Sequence, residues 1–292
     1  MKPIKESELI LNNDGSIYHL HLRPEHIAET IILVGDPQRV AIVSSYFDKI
    51  EHKISNREFI THTGYLNNKH LTVIGTGIGT DNIDIVVNEL DALVNIDLEK
   101  RIFKTEQKSL NLIRIGTSGS LQEFVPVDSF LISQTACGFD GLLNFYDGRD
   151  DISDIKIENA FKNHVNWNER LTSPYFVNAP GNLFNILKEK AIAGITISAP
   201  GFYGPQGREL RLKTAYRNLN DQIESFEFEG RKITNFEMEC SAIYGLSSLL
   251  GHNAVTLCAI IANRVSKTIS MDYKKTVVKL IEYTLEKITK SN

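Results

Sequence analysis

The sequence predicts an α/β fold in one sizeable domain, and three observations lead there. A chain of 292 residues with 42% hydrophobic content can bury a large core. Short β-branched runs alternate along it with helical patterns. Several of those runs end in glycine or small polar residues, which is how strands hand over to turns.

Strands are expected at 30–34, 70–74, 111–115, 129–134, 194–198 and 255–262, each rich in Val, Ile, Leu or Thr. The clearest helix follows Gly79: Ile83, Val86, Val87, Leu90, Leu93 and Val94 recur on one face, with Asp81 available as N-cap. A second helix fits 238–250, with Ala242, Leu246, Leu249 and Leu250 on one side and Gly251 as its stop. A third closes the chain through Val277, Leu280, Ile281 and Ile288. Residues 1–16 are a mixed polar N-terminal extension to a single domain spanning 1–292. The charged segment 95–108 is expected as loop or frayed helix. The Asp- and Asn-rich segment 146–168, like 95–108, is expected as a surface insertion.

Composition excludes several classes of function. The formal net charge of −4, from 32 basic and 36 acidic residues, gives no basic surplus for nucleic acid. The apolar stretch at 254–262 is far too short to cross a bilayer, and the N-terminus has no signal-like apolar core, so no membrane partner is expected. Cys137, Cys240 and Cys258 have no metal-ligand spacing and sit in apolar or small-residue surroundings. They are expected as reduced core thiols, in keeping with a cytoplasmic location, and no metal site is expected.

Four segments place glycine, small hydroxyls or charged groups at the carboxyl end of an expected strand, where open α/β sheets take ligands. In Val34-Gly35-Asp36-Pro37-Gln38-Arg39 a strand ends in glycine and an arginine follows one turn into a helix. Glycine lets backbone N–H groups approach an anion, and the guanidinium offers a forked donor; the same pattern also serves an ordinary strand-to-helix turn. Gly75-Thr76-Gly77-Ile78-Gly79 lacks the G-x-G-x-x-G spacing of a dinucleotide site and reads equally as tight strand-to-helix packing. In Arg114-Ile115-Gly116-Thr117-Ser118-Gly119 an arginine sits amid Leu112, Ile113 and Ile115, where burial demands an anionic partner: a structural carboxylate or a bound phosphate. Asn235-Phe236-Glu237-Met238-Glu239 puts two carboxylates at the mouth of a helix, as dipole partners or as acceptors for sugar hydroxyls. A fifth segment, Phe202-Tyr203-Gly204-Pro205-Gln206-Gly207-Arg208, combines an aromatic face, an amide and a guanidinium, the equipment to read the edge of a planar base.

Taken in order, H-L-H-L, G-D-P-Q-R-V, N-R-E-F, G-T-G-I-G, R-I-G-T-S-G, F-Y-G-P-Q-G-R, N-F-E-M-E and I-I-A-N-R resemble the nucleoside phosphorylase-I family, and most closely its uridine phosphorylase branch, from about His19 to Arg264. The resemblance implies a mixed, twisted and partly barrel-like sheet surrounded by helices, with an active site shared between two subunits of a homo-oligomer, either a dimer or a hexamer built as a trimer of dimers. It implies that Gly35, Arg39, Arg114 and Thr117 bind phosphate, with Arg57 reaching in from the neighbouring chain. Thr117, Met238 and Glu239 would hold the ribose, joined by His19 of that neighbour. Phe202, Gln206 and Arg208 would hold a pyrimidine, with Arg264 supporting a base carbonyl. Arg39, Arg114, Arg208 and Glu239 would then be the catalytic set, with phosphate as co-substrate and no cofactor.

The implied reaction is phosphorolysis of a nucleoside such as uridine to uracil and ribose 1-phosphate, in salvage or catabolism. Phosphate is itself the nucleophile, so arginines need only hold and orient it while Arg208 and Gln206 stabilise the departing base. In purine-specific relatives an aspartate stands where Asn263 stands here, which disfavours purines. Three rivals are distinguishable: a purine nucleoside phosphorylase, a nucleosidase, for which a cationic cradle has no use, and a silent nucleoside-binding scaffold. Arg114→Ala is expected to abolish turnover in a chain that stays folded if the enzyme reading holds.

Overall fold

The structure is a computed structural model and describes residues 2–290. In chain order its elements are β1 (Thr30–Val34), α1 (Gln38–Ser44), β2 (Lys49–Asn56), β3 (Phe59–Leu66), β4 (Lys69–Gly75), α2 (Thr80–Asn95), β5 (Ile96–Asp97), β6 (Ile102–Phe103), β7 (Asn111–Ser120), β8 (Phe130–Gly138), α3 (Arg149–Ile152), α4 (Ile155–His164), β9 (Tyr175–Asn178), α5 (Leu183–Leu187), β10 (Ile192–Ser198), α6 (Leu219–Ser225), β11 (Glu227–Phe228), β12 (Arg231–Glu237), α7 (Cys240–Leu250), β13 (Asn253–Asn263), β14 (Thr268–Ile269) and α8 (Tyr273–Lys290). All six expected strands form. β1 is buried at every position, as a β-branched run covered on both faces should be.

The main sheet runs β11-β12-β10-β8-β13-β7-β1-β4-β3-β2. β12 also pairs antiparallel with β7, through Asn235 to Ser120 and Phe236 to Gly119, so β7, β13, β8, β10 and β12 close into a five-stranded mixed barrel. The expected fold class is therefore what the chain adopts. Closure explains why β7 and β8 outrun their apolar cores: the small residues Gly116–Ser120 and Thr135–Gly138 continue the ladders where the barrel turns its corners. β1 and β4 flank the barrel in parallel, and β2 and β3 extend the sheet as antiparallel hairpins.

Three apolar layers hold the sheet. α2 and α7 pack together on one side, burying Ile83, Val86, Val87 and Leu90 with Ile243 and Leu246. α1, α5 and α8 cover the other with Val40, Val43, Leu187, Leu280 and Ile281. A third layer of Ile157, Phe161 and Val165 meets Phe176, Phe226 and Phe236.

That third layer corrects one expectation. Segment 146–168 is not a surface excursion: it folds into α3 and α4, and Asp154 caps α4 by accepting from Ile157 N. Its Asp and Asn residues belong to caps and the outer face, while the fewer apolar residues fall at helical spacing and point inward. Segment 95–108 is no helix either; it forms the β5–β6 hairpin, with Ile96 and Leu98 buried against the first layer. The 1–16 extension is tied down too, through Leu9 in the same core and Ile4 N donating to Arg101 O at 2.7 Å.

Helix starts also shift. Asp81 does not cap α2; Gly79, at φ +99°, is the N-cap, because the glycine cluster must turn through backbone angles that only glycine takes without strain. α7 begins at Cys240 and not at Met238, and it ends where expected, at Gly251 in the left-handed conformation. Cys137, Cys240 and Cys258 are buried and free. Among the described residues, no helix is long and apolar enough to cross a membrane.

Candidate active site

The carboxyl ends of β1, β7, β12 and β13 surround a cavity of ≈ 890 Å³, within the range of small-ligand sites. Gly35, Arg39, Arg114, Thr117, Met238, Glu239, Phe202, Gln206 and Arg208, nine of the residues singled out from sequence, line it. They form three chemically distinct zones.

The first zone is cationic. Arg39 comes from the first turn of α1, is half-buried, and donates from Nη1 to Ile115 O at 3.3 Å; it forms no ion pair among the described residues. Burial, and then the neighbouring Arg114, hold its pKa below the usual arginine value, so its charge is poorly compensated within the protein. Arg114 is buried on β7, and its guanidinium meets Glu237 at 3.2 Å and Glu239 in a closer ion pair, with Cys258 Sγ at 3.5 Å. Burial alone would lower the Arg114 pKa, but Glu239 and then Glu237 outweigh it and hold the charge firmly. Gly116 explains the R-I-G spacing: a Cβ there would come within 2.1 Å of Arg114 Nη1, so only glycine lets the side chain fold back along its own strand toward the cavity.

Of the two partners the sequence allowed for Arg114, the structure shows the carboxylates. The arginine also lies on the cavity beside Arg39.

The second zone is the turn between β12 and α7. Met238 is half-buried and Glu239 buried, and Glu239 accepts from Gly79 N at 2.7 Å as well as from Arg114. That hydrogen bond ties the glycine cluster to the carboxylate, giving G-T-G-I-G a function the sequence left open. Of the two readings the sequence offers for Glu237, partner of the helix N-terminus or acceptor for a sugar hydroxyl, the structure shows the first. Its carboxylate accepts from Ser198 Oγ, from Glu239 N at 2.9 Å and from Cys240 N at 3.0 Å, which satisfies the first N–H groups of α7.

The third zone is aromatic and cationic. Arg208 lies over the Phe202 ring at 3.9 Å and donates to Phe202 O at 2.7 Å and to Gln206 Oε1. All of these partners are neutral. Arg264 does not line the cavity; it stands behind it, donating to Gln206 O with its guanidinium 5.6 Å from the Phe236 ring centre. Burial and then Arg208 push the Arg264 pKa down to about 10. Asn263 is buried and fully engaged: it donates to Gln122 O and Val125 O at 2.9 Å each and accepts from Val265 N and Ser266 N at 2.9 Å.

His19 and Arg57 do not line this chain's cavity. The fold nevertheless brings the two together: Asn56 donates to His19 O at 2.8 Å, and Arg57 lies 5.2 Å over the Tyr18 ring, beside His19. His19 is itself engaged with Glu89 through Nδ1 at 2.6 Å. Glu58, next to Arg57 in the β2–β3 turn, does line the cavity, so this cluster borders its rim. Ile78 of the glycine cluster, Asn82 in the first turn of α2 and Ile269 in β14 also line the wall; the last two lay in no segment that carried a sequence signal for the site.

Comparison with known proteins agrees with this fold. The model of the family described as "Phosphorylase superfamily" matches residues 29–289. The chain is 28% identical to a uridine phosphorylase of Thermococcus kodakarensis over 87% of its length and 79% of the relative's. It is 29% identical to one of Haemophilus influenzae, covering 87% and 89%. A DeoD-type purine nucleoside phosphorylase of Bacillus cereus matches at 28%, covering 92% and 97%. Among solved structures, a Trypanosoma brucei nucleoside phosphorylase that shows uridine phosphorylase activity superposes with a TM-score of 0.86 at 30% identity, covering 97% of this chain and 100% of that one. With the family model matching nearly the whole chain and a solved relative superposing on it from end to end, the chain belongs to the phosphorylase superfamily and is a uridine phosphorylase-like pentosyltransferase.

Proposed function

We propose that this enzyme cleaves a pyrimidine nucleoside, uridine in the first instance, with inorganic phosphate, giving uracil and ribose 1-phosphate. The observation that carries the proposal is the division of charge along one cavity. Arg39 and Arg114 stand together at one end, the Glu239 carboxylate lies near them, and Arg208 with only neutral partners stands by the aromatic end. Phosphate held by Arg39, Arg114, Thr117 and the Gly35 backbone would be aimed at the anomeric carbon, with Met238 and Glu239 fixing the ribose. As the glycosidic bond breaks, the sugar gains positive charge next to the phosphate. The base gains negative charge beside Arg208, with Arg264 behind it, and those cations stabilise the charge where it develops.

The same charges favour a pyrimidine over the purines accepted by the DeoD-type relatives. A departing purine is helped by a proton donor, whereas the position that would supply an aspartate carries Asn263, whose amide is already committed to four backbone partners. A base that leaves as an anion is served by the two guanidiniums instead. The chemistry calls for no cofactor, since phosphate supplies the nucleophile. His19 and Arg57 enter from a second copy of the chain on this reading, making the working enzyme a homo-oligomer. A role in cytoplasmic nucleoside salvage or catabolism follows.

The test is a panel of nucleosides assayed with and without phosphate, read by release of free base and by the sugar product. Uridine should be cleaved only with phosphate and yield ribose 1-phosphate. Cleavage at equal rate without phosphate, yielding free ribose, would overturn phosphorolysis. Faster release of hypoxanthine or adenine than of uracil would overturn the base assignment.

A further inference from the structure

Glu237 is the most heavily engaged group at the site, and none of the ligand contacts proposed above uses it. Its side chain is 1% exposed, and three elements converge on its two carboxylate oxygens. From β7 comes Arg114 Nη1 at 3.2 Å; from β10, the Ser198 hydroxyl; from the start of α7, the N–H groups of Glu239 and Cys240. Ser198 Oγ in turn accepts from Ser241 N at 2.8 Å, so a second residue of the first turn of α7 is held through the same point. A carboxylate so saturated has little capacity left for a sugar hydroxyl.

Arg114 has two carboxylates, and they differ in kind. Glu239 belongs to the turn that lines the cavity and is bound to Arg114 and Gly79 N, two partners that a phosphate and a ribose would compete for or rearrange. An incoming phosphate dianion at Arg114 competes directly with Glu239 for the guanidinium. If Glu239 were the sole counter-charge, its release would leave the buried guanidinium without a fixed anchor, and a misplaced donor aims its anion poorly.

We propose that Glu237 is a positioning residue: it pins the Arg114 guanidinium and the N-terminus of α7 to one point, so that Arg114 can exchange Glu239 for phosphate without moving, which frees Glu239 for the ribose hydroxyls. Phosphate and ribose binding are then coupled through Arg114, and Glu237 is the fixed end of that coupling. This inference rests on the assignment of Arg114 to phosphate.

The experiment compares wild type with Glu237→Gln and Glu237→Asp, measuring kcat and KM for phosphate and for uridine, binding of free uracil, and thermal unfolding. Phosphate dependence of the wild type tests the underlying assignment first, independently of any variant. Given that dependence, Glu237→Gln should raise the KM for phosphate and for uridine together by roughly tenfold to a hundredfold, as removal of a group that orients a binding residue does. Glu237→Asp should recover part of the loss, because the charge returns. Uracil binding, which depends on Phe202, Gln206 and Arg208, should stay at the wild-type value. A folded Glu237→Gln chain with wild-type KM for phosphate would overturn the proposal, as would a variant in which uracil binding falls in parallel with the melting temperature. Should Glu237→Gln fail to fold, Ser198→Ala loosens the same carboxylate without touching Arg114. A raised KM for phosphate with unchanged uracil binding supports the proposal there, and an unchanged KM refutes it.

Discussion

Removing Arg39 and removing Arg114 should have the same effect on turnover and unequal consequences for the fold. Arg114 stands between two buried carboxylates, so Arg114→Ala leaves Glu237 and Glu239 facing each other without a counter-charge. Breaking a buried pair from one side costs about 3–5 kcal/mol. Arg114→Ala, expected from sequence to stay folded, therefore cannot separate chemistry from folding. Arg39 loses only a 3.3 Å hydrogen bond to Ile115 O and forms no ion pair among the described residues. Burial and Arg114 both work against its charge, so Arg39→Ala also relieves a cost, and the net change in stability should lie within about 1 kcal/mol. Loss of a cation that faces the attacking anion should lower kcat/KM for phosphate by roughly 10²–10³. The assay is initial-rate release of uracil across a phosphate titration, with melting curves recorded in the presence and absence of phosphate. Phosphate should raise the melting temperature of the wild type and do so far less for Arg39→Ala. An Arg39→Ala chain with unchanged kcat/KM for phosphate would refute the assignment of the cationic zone.

Gly116→Ala removes no polar group, yet its methyl would meet the Arg114 guanidinium at 2.1 Å; kcat/KM for phosphate should fall while activity toward any phosphate-independent ligand, read as uracil binding, is kept. Arg208→Gln should slow uridine by roughly 10²–10³ but penalise 5-fluorouridine less, because a more acidic base relies less on the guanidinium; equal losses for both in initial-rate assays would count against charge stabilisation at the base. If the active site is shared, Arg39→Ala and Arg57→Ala chains, each weak alone, should on mixing and reassembly regain roughly a quarter of wild-type activity, since half the dimers would be hybrids with one intact site; no recovery despite hybrid formation argues against it. Burial, followed for His62 by Lys53, holds the pKa values of His26 and His62 below 6.5. The unfolded chain therefore binds more protons in this window, so stability should be complete above about pH 6.5 and decline as pH falls through the folded values. Melting temperatures from pH 8 to pH 5 should show that decline, and His62→Gln should flatten part of it.

Much of this architecture was open to reading along the chain because each signal was local. The strand at 30–34 is a five-residue aliphatic run, α2 repeats its apolar face every turn, and Gly251 stops α7 as a left-handed cap. The hairpins β2–β3–β4 were half-hidden, since β2 alternates exposed and half-buried positions and its turn uses Arg57 at φ +51° in place of glycine. Segment 146–168 misled for a related reason: its many polar residues masked the few apolar ones that build the third layer.

The sequence by itself determined the α/β class, the strand ends where the site forms, and nine of the residues that line it, because strand-then-glycine and lone arginines in apolar runs are local consequences of backbone and solvation chemistry. Only the tertiary structure decided how those residues divide their work. That Arg114 is shared between Glu237 and Glu239, that Glu239 holds the glycine cluster through Gly79, that Arg264 stands behind Gln206 and that Asn263 is spent on backbone groups all depend on contacts between residues far apart in the chain. Closure joins β7 to β12 across more than a hundred residues of chain, and a charge pair made over that separation leaves no periodic trace in the sequence.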